Sequence, residues 1–137
     1  MRFRQNFLFF AIGKIWKKNY NTLRKERGII LKSEYKDLDK LLILKITEEI
    51  DHHTTEKIRR KMDNEITRYM PRKVLFDFNE VSFMDRAGIG LIIGRYKVAK
   101  LFGGDVEIVN ARPSVKKVLE MSGITRIIKI NDDRKVC

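Results

Sequence analysis

The sequence predicts an α/β domain, a mixed sheet of about five strands opened by a hairpin and packed against three or more helices. Three observations carry this. After a first pair of β-rich runs, strand-like and helix-like segments alternate to the end of the chain. One strand is apolar almost throughout, as a strand covered on both faces of a parallel sheet must be. With 43% hydrophobic residues, the 137 residues supply one core of ordinary domain size.

The elements follow in order. Residues 29–35 and 41–46 are rich in Ile, Leu and Tyr, and the polar stretch 36–40 between them makes an antiparallel hairpin. Beyond Asp51, the spacing of Ile58, Met62, Ile66 and Tyr69/Met70 predicts a helix that Pro71 stops. Residues 74–78 form the nearly continuous apolar strand. A second helix begins after Asp85, with Ile89, Ile92, Ile93, Tyr96 and Ala99 at helical period and Gly103-Gly104 as its stop. Strand four covers 106–109. Pro113 opens a third helix with Val115, Val118, Leu119 and Met121 facing inward and Gly123 as its breaker. A fifth strand is expected from Ile124 to Ile130.

Charge is uneven along this order. Residues 1–32 hold nine Lys/Arg against one Glu, while residues 33–137 hold 21 basic against 17 acidic residues. The basic excess therefore belongs to an N-terminal extension, residues 1–28, and the domain proper is expected to be residues 29–137. This distribution argues against direct nucleic-acid binding by the domain. Within the extension, Leu8, Phe9, Ile12, Ile15 and Trp16 share one side of a helical wheel and Lys14, Lys17 and Lys18 the other, the layout of a helix lying on a membrane surface. The alternative is an extraneous segment. No apolar run approaches the ~18 residues of a membrane span. The single cysteine, Cys137, permits no intramolecular disulfide and no Cys-based metal site, which fits a reducing cytoplasm.

Three motifs carry candidate chemistry. Asp51-His52-His53 has the residue types of a divalent-metal site in a phosphoesterase, the enzyme alternative. Adjacent residues entering a helix point about 100° apart, however, and the chain has no further histidine to complete the set. Here Asp51 is expected to cap the first helix, with the histidines exposed beside it. Gly88, Gly90 and Gly94 occupy the strand-to-helix position of a dinucleotide-binding turn, but their spacing misses that fingerprint by one residue. Gly90 and Gly94 are expected to let the helix approach a neighbour closely. Arg59, Arg60 and Lys61 are interspersed with Glu56, Asp63 and Glu65, as on a solvated helix face.

The stretch Val81-Ser82-Phe83-Met84-Asp85-Arg86-Ala87-Gly88-Ile89-Gly90-Leu91-Ile92-Ile93-Gly94-Arg95-Tyr96-Lys97 resembles the signature of bacterial anti-sigma factor antagonists, STAS-domain proteins of the sporulation sigma F type. Asp51-His52-His53-Thr54 and residues 115–128, with Met121-Ser122-Gly123-Ile124, extend the resemblance over about residues 29–130. It implies a STAS-like sheet and a non-enzymatic protein of the cytoplasm. Such a protein needs no cofactor, metal or small-molecule substrate. Its partner would be an anti-sigma factor that is also a serine kinase, and binding would release the sigma factor for transcription. The resemblance places Asp51, His52, His53, Met84, Asp85, Arg86, Ala87, Gly88 and Ile89 at the partner surface. In the family a serine of an Asp-Ser-Ser-Gly sequence is phosphorylated to switch binding off. Here Arg86 and Ala87 stand at the two serine positions, and Ala87 at that of the acceptor. Glu48 replaces a family glycine, and the family's final helix has no counterpart before Cys137. The competing expectation is a divergent adaptor or degenerate paralogue that uses residues 1–28 on a membrane surface or nucleic acid.

Overall fold

The computed structural model of the protein describes residues 30–132. The expectations for residues 1–28 lie outside the described residues. The chain divides into two units, Met1–Ile30 and Leu31–Cys137, and the elements of the described residues lie in the second.

Strands β1 (Leu31–Lys36) and β2 (Leu41–Ile46) pair antiparallel, from Leu31 opposite Ile46 to Lys36 opposite Leu41. The turn between them closes with the Lys40 N–H donating to the Asp37 carbonyl. From β2 the chain enters helix α1 (Thr55–Tyr69), whose Ile58, Met62 and Ile66 are completely buried. Tyr69 and Met70 part company at its end. Tyr69 stacks on Tyr35 with ring centroids 4.2 Å apart, whereas Met70 adopts a left-handed conformation (φ 43°) and turns outward, 57% exposed.

Strand β3 (Lys73–Asp77) lies between β2 and β4 (Asp105–Val109), parallel to both, and β5 (Lys129–Asn131) continues the parallel run, so the sheet order is β1-β2-β3-β4-β5. The register aligns Leu42, Val74 and Val106 in one row and Leu44, Phe76 and Ile108 in another on the same face. Tyr35, opposite Leu42, meets Tyr69 of α1 there, which marks this as the face under that helix. Phe76 and Phe78, both fully buried, stack with centroids 6.3 Å apart. A smaller cluster of Ile43, Leu75 and Val109, with Leu41 against it, occupies the opposite face.

Helix α2 (Arg86–Leu101) departs from its expected stripe. Gly88, Leu91, Ile92, Arg95 and Ala99 are buried, while Ile89, Ile93 and Tyr96 are only half-buried. The helix is rotated so that Arg95, 7% exposed, faces α1. Its Nε lies 2.7 Å from Asp63 Oδ1, an ion pair whose N–H is not aligned as a hydrogen bond. Burial pulls the Arg95 guanidinium below its ordinary pKa and Asp63 opposes that pull. Past the helix, Gly104 passes directly over Pro71. A Cβ there would stand 2.5 Å from the Pro71 carbonyl oxygen, so glycine is required.

Helix α3 (Pro113–Ser122) buries Val115 and Leu119 and half-buries Val118, but Met121 is 79% exposed. At 100° per residue, position 121 lies about 200° round from Leu119, beyond the narrow stripe that a three-turn helix buries. The run from Ile124 to Ile130 is not one strand. Gly123 ends α3 in a left-handed conformation (φ 78°), Ile124–Arg126 form a 3-10 turn, and only Lys129–Asn131 pair with β4. Ile124 and Ile128 anchor that turn in the core, leaving Ile127 49% exposed.

Because Phe76 is sealed in the centre of the sheet, Phe76→Ala is expected to cost about 3–5 kcal/mol through the cavity it leaves. Equilibrium urea unfolding measures this, with a fall in midpoint at unchanged slope as the expected form.

Candidate partner-binding site

Parallel pairing of β2, β3 and β4 opens the loops after them on one edge of the sheet, where open α/β sheets place their working surfaces. Two of these loops are fastened together. Ile50 and Met84 form an isolated parallel bridge, in which the Ile50 N–H donates to the Phe83 carbonyl at 3.0 Å and the Asp85 N–H donates to the Ile50 carbonyl at 3.1 Å. Ile50 is fully buried and Met84 is 3% exposed, so the joint is dry.

Just beyond that joint, Asp51 shapes a turn and does not cap α1. Its Oδ1 accepts from the backbone N–H groups of His53 (2.8 Å) and Thr54 (2.9 Å), and α1 begins only at Thr55, with Thr54 at the N-cap making no side-chain cap bond. The Thr54 hydroxyl is engaged elsewhere, donating to the Glu49 carbonyl at 2.8 Å. An aspartate four residues before the helix is too early to reach its free N–H groups, so it closes the preceding turn instead. The hydrogen bond from Thr54 lowers the Asp51 carboxyl below its ordinary pKa, and that from His53 adds to the effect. His52 and His53 are exposed, with ring centroids 3.8 Å apart, and His52 Nδ1 lies 4.0 Å from Asp85 Oδ2. Among the described residues no group of three His, Cys, Asp or Glu side chains is placed to hold a metal ion.

Asp85 is the N-cap of α2. Its Oδ1 accepts from the Ala87 N–H at 2.8 Å, and its carbonyl accepts from Gly88 at 3.1 Å. Arg86 is exposed at the first helical position, while Ala87 and Ile89 are half-buried. The close approach expected at Gly90 and Gly94 occurs instead at Gly88. No heavy atom would contact a Cβ at either of the first two positions, whereas one at Gly88 would overlap Met84 Cγ and Sδ and press on Ile50 Cγ2 at 3.1 Å. Gly88 is thus the socket into which the joint between the loops fits.

A third loop joins them, one that sequence reasoning did not single out. Asn110, at φ 60°, donates through Nδ2 to Asp77 Oδ1 at 3.2 Å. Arg112 Nε donates to the Asn79 carbonyl at 2.9 Å, and Ser114 Oγ to the Ser82 carbonyl at 3.4 Å. Phe83, in the segment these bonds hold, is 49% exposed. The one local hint was the polar pair Asn110 and Arg112 just before the helix-opening Pro113.

The STAS domain profile matches residues 32–136. This chain belongs to the STAS domain family. Among STAS relatives, the anti-sigma F factor antagonist of Paenibacillus polymyxa is 36% identical over 93 residues, 68% of this chain and 80% of that protein. The fold aligns with the anti-sigma factor antagonist SpoIIAA in its unphosphorylated form at a TM-score of 0.65 and 28% identity, covering 77% of this chain and 89% of SpoIIAA. The Bacillus cell fate determinant SpoIIAA in the phosphorylated form aligns at 0.59 and 27% identity, covering 77% and 92%. The five-strand mixed sheet with three helices is the arrangement of this STAS fold.

Two predictions follow from the joint and the turn beside it. Gly88→Ala should destabilise the STAS domain by about 1–3 kcal/mol, because Met84 has to move within a closed core; thermal unfolding checks it. Asp51 has a lowered pKa in the folded protein, so its contribution is present at neutral pH and is lost as pH falls through that folded value. Melting curves between about pH 6 and about pH 2 should therefore fall less steeply in Asp51→Asn than in the unsubstituted protein.

Proposed function

We propose that this STAS protein is an anti-sigma factor antagonist, which docks on an anti-sigma factor that is also a serine kinase and so releases the sigma factor for transcription in the cytoplasm. It acts by binding and performs no chemistry of its own. The domain responsible is residues 29–137, with residues 1–28 a separate basic extension. The relatives support the antagonist reading, and the observation that carries it to particular residues is the bridge between Ile50 and Met84, which brings Asp51–His53 and Asp85–Ile89 into one surface. Within that surface His52, His53 and Arg86 are exposed and suited to direct contact. Met84 and Gly88 are buried and act by shaping the loop, and Ala87 and Ile89 offer partly covered apolar surface.

The same reading makes the protein insensitive to the kinase activity of its partner. Phosphoryl transfer needs an oxygen nucleophile in line with the γ-phosphate. Ala87 offers a methyl group, Arg86 has no hydroxyl, and the Ala87 N–H is already held by the Asp85 carboxylate. Ser82 is exposed, but it lies in the loop five residues before Ala87, ahead of the Met84 bridge and outside the helix that carries position 87.

Incubation with the host's anti-sigma kinase, with ADP and then with ATP, tests both parts. We expect a complex in either nucleotide, no ATP-dependent gain in mass, and partial phosphorylation of an Arg86→Ser, Ala87→Ser double variant. Stoichiometric phosphate on the unsubstituted chain would overturn phosphorylation blindness. Failure of both chains to bind any anti-sigma factor would overturn the antagonist reading and favour a degenerate paralogue.

A further inference from the structure

We infer that the loop between β4 and α3 is a third part of the docking surface, and that Phe83, Arg86 and Arg112 together fit an apolar pocket rimmed by Asp or Glu on the anti-sigma factor. This rests on the antagonist reading and names the chemistry of the partner face. Arg112 is latched to the β3–α2 loop through Asn79, and Ser114 bonds Ser82, so residues 79–83 are held from the third loop as well as by the bridge from the first. Phe83 emerges between these two attachments with about half its surface in solvent. A large aromatic held rigidly at a loop tip suits burial in a partner pocket, since little freedom remains to be lost on binding.

The two exposed charges at the helix starts beside it are both positive. Arg86 is the first residue of α2 and Arg112 the N-cap of α3; both are exposed, and neither helix has an acidic residue in its first turn. The positive end of a helix disfavours cations, so neither arginine is placed there by helix stability. Among the described residues neither forms an ion pair with a carboxylate. The nearby carboxylates Asp51 and Asp85 each commit Oδ1 to backbone N–H groups. Two cations are therefore presented outward around an apolar centre, and an acidic rim on the partner would satisfy both at once.

The helix dipole also separates a binding role from a folding role at Arg86, because glutamate there should leave α2 as stable or more so, whereas Arg112→Glu also removes the bond to the Asn79 carbonyl and its melt is read beside its binding. Binding to the cognate anti-sigma kinase is measured by calorimetry for the full chain, for Arg86→Glu, Arg112→Glu and their combination, and for Phe83→Ala, alongside thermal melts. We expect the double charge reversal to weaken binding by roughly tenfold or more, with melting unchanged or raised for Arg86→Glu. Arg86→Lys with Arg112→Lys should keep most of the affinity, and Phe83→Ala should speed dissociation. Binding of the unsubstituted chain should weaken with added salt. If the full chain binds and the glutamate and Phe83 variants bind equally well, this surface is wrong while the antagonist reading stands. If the full chain does not bind, both fall.

Discussion

Two backbone hydrogen bonds, Ile50 to Phe83 and Asp85 to Ile50, hold together the loops of the proposed docking face. The strands themselves deliver three loops to one edge of the sheet, but loops on adjacent parallel strands have no reason to share a geometry. The bridge supplies one. It is dry because Ile50 and Met84 are buried, and it can close only because Gly88 leaves room for the Met84 side chain. A single backbone position without a side chain thus decides how the start of α2 stands relative to the histidine-bearing turn.

The orientation of α2 has a second determinant at its middle. Arg95 turns inward and meets Asp63 of α1. Burying an arginine is costly, and an ion pair of this kind is weak ground for stability taken alone. What it offers is direction, because only one rotation of α2 about its axis brings Arg95 to Asp63. With the helix pinned there and at Gly88, Asp85 and Arg86 are fixed in space at its exposed end. One oxygen of the Asp85 carboxylate then accepts from the Ala87 N–H at 2.8 Å, and the other faces His52 at 4.0 Å.

This division explains what could be read from the sequence. Strands β2 and β4 and helix α1 were legible because burial there is set by local period: Ile58, Met62 and Ile66 line one side of a helix lying on a sheet. Family resemblance located the Asp85 loop. The stripe of α2 was misplaced because its buried position 95 is an arginine, and only the tertiary neighbour Asp63 makes that tolerable. Met121 and the run after Gly123 misled for a related reason, since apolar composition does not reveal that a helix is too short or that a left-handed glycine breaks a strand in two. Arg112 was missed because its bond runs to a backbone carbonyl 33 residues away, a pairing that has no signature in side-chain pattern.

The position of Ala87 finally bears on how such a protein would be controlled. A phosphate at the second residue of α2 would add about two negative charges to the docking face, at a helix terminus well suited to receive them. Here that residue carries a methyl group and its neighbour a guanidinium, so under the proposed function the face would gain no phosphate at position 87. Occupancy of the partner would then follow from concentration and affinity alone, with each tenfold change in affinity corresponding to about 1.4 kcal/mol at the interface. In that setting Arg86 does more than fill the place of a serine, and Arg112 adds a second charge from another loop. On the proposed docking surface they would make affinity depend on complementary charge across the interface, a property of the partner that recognition can select and that phosphorylation at position 87 would not erase.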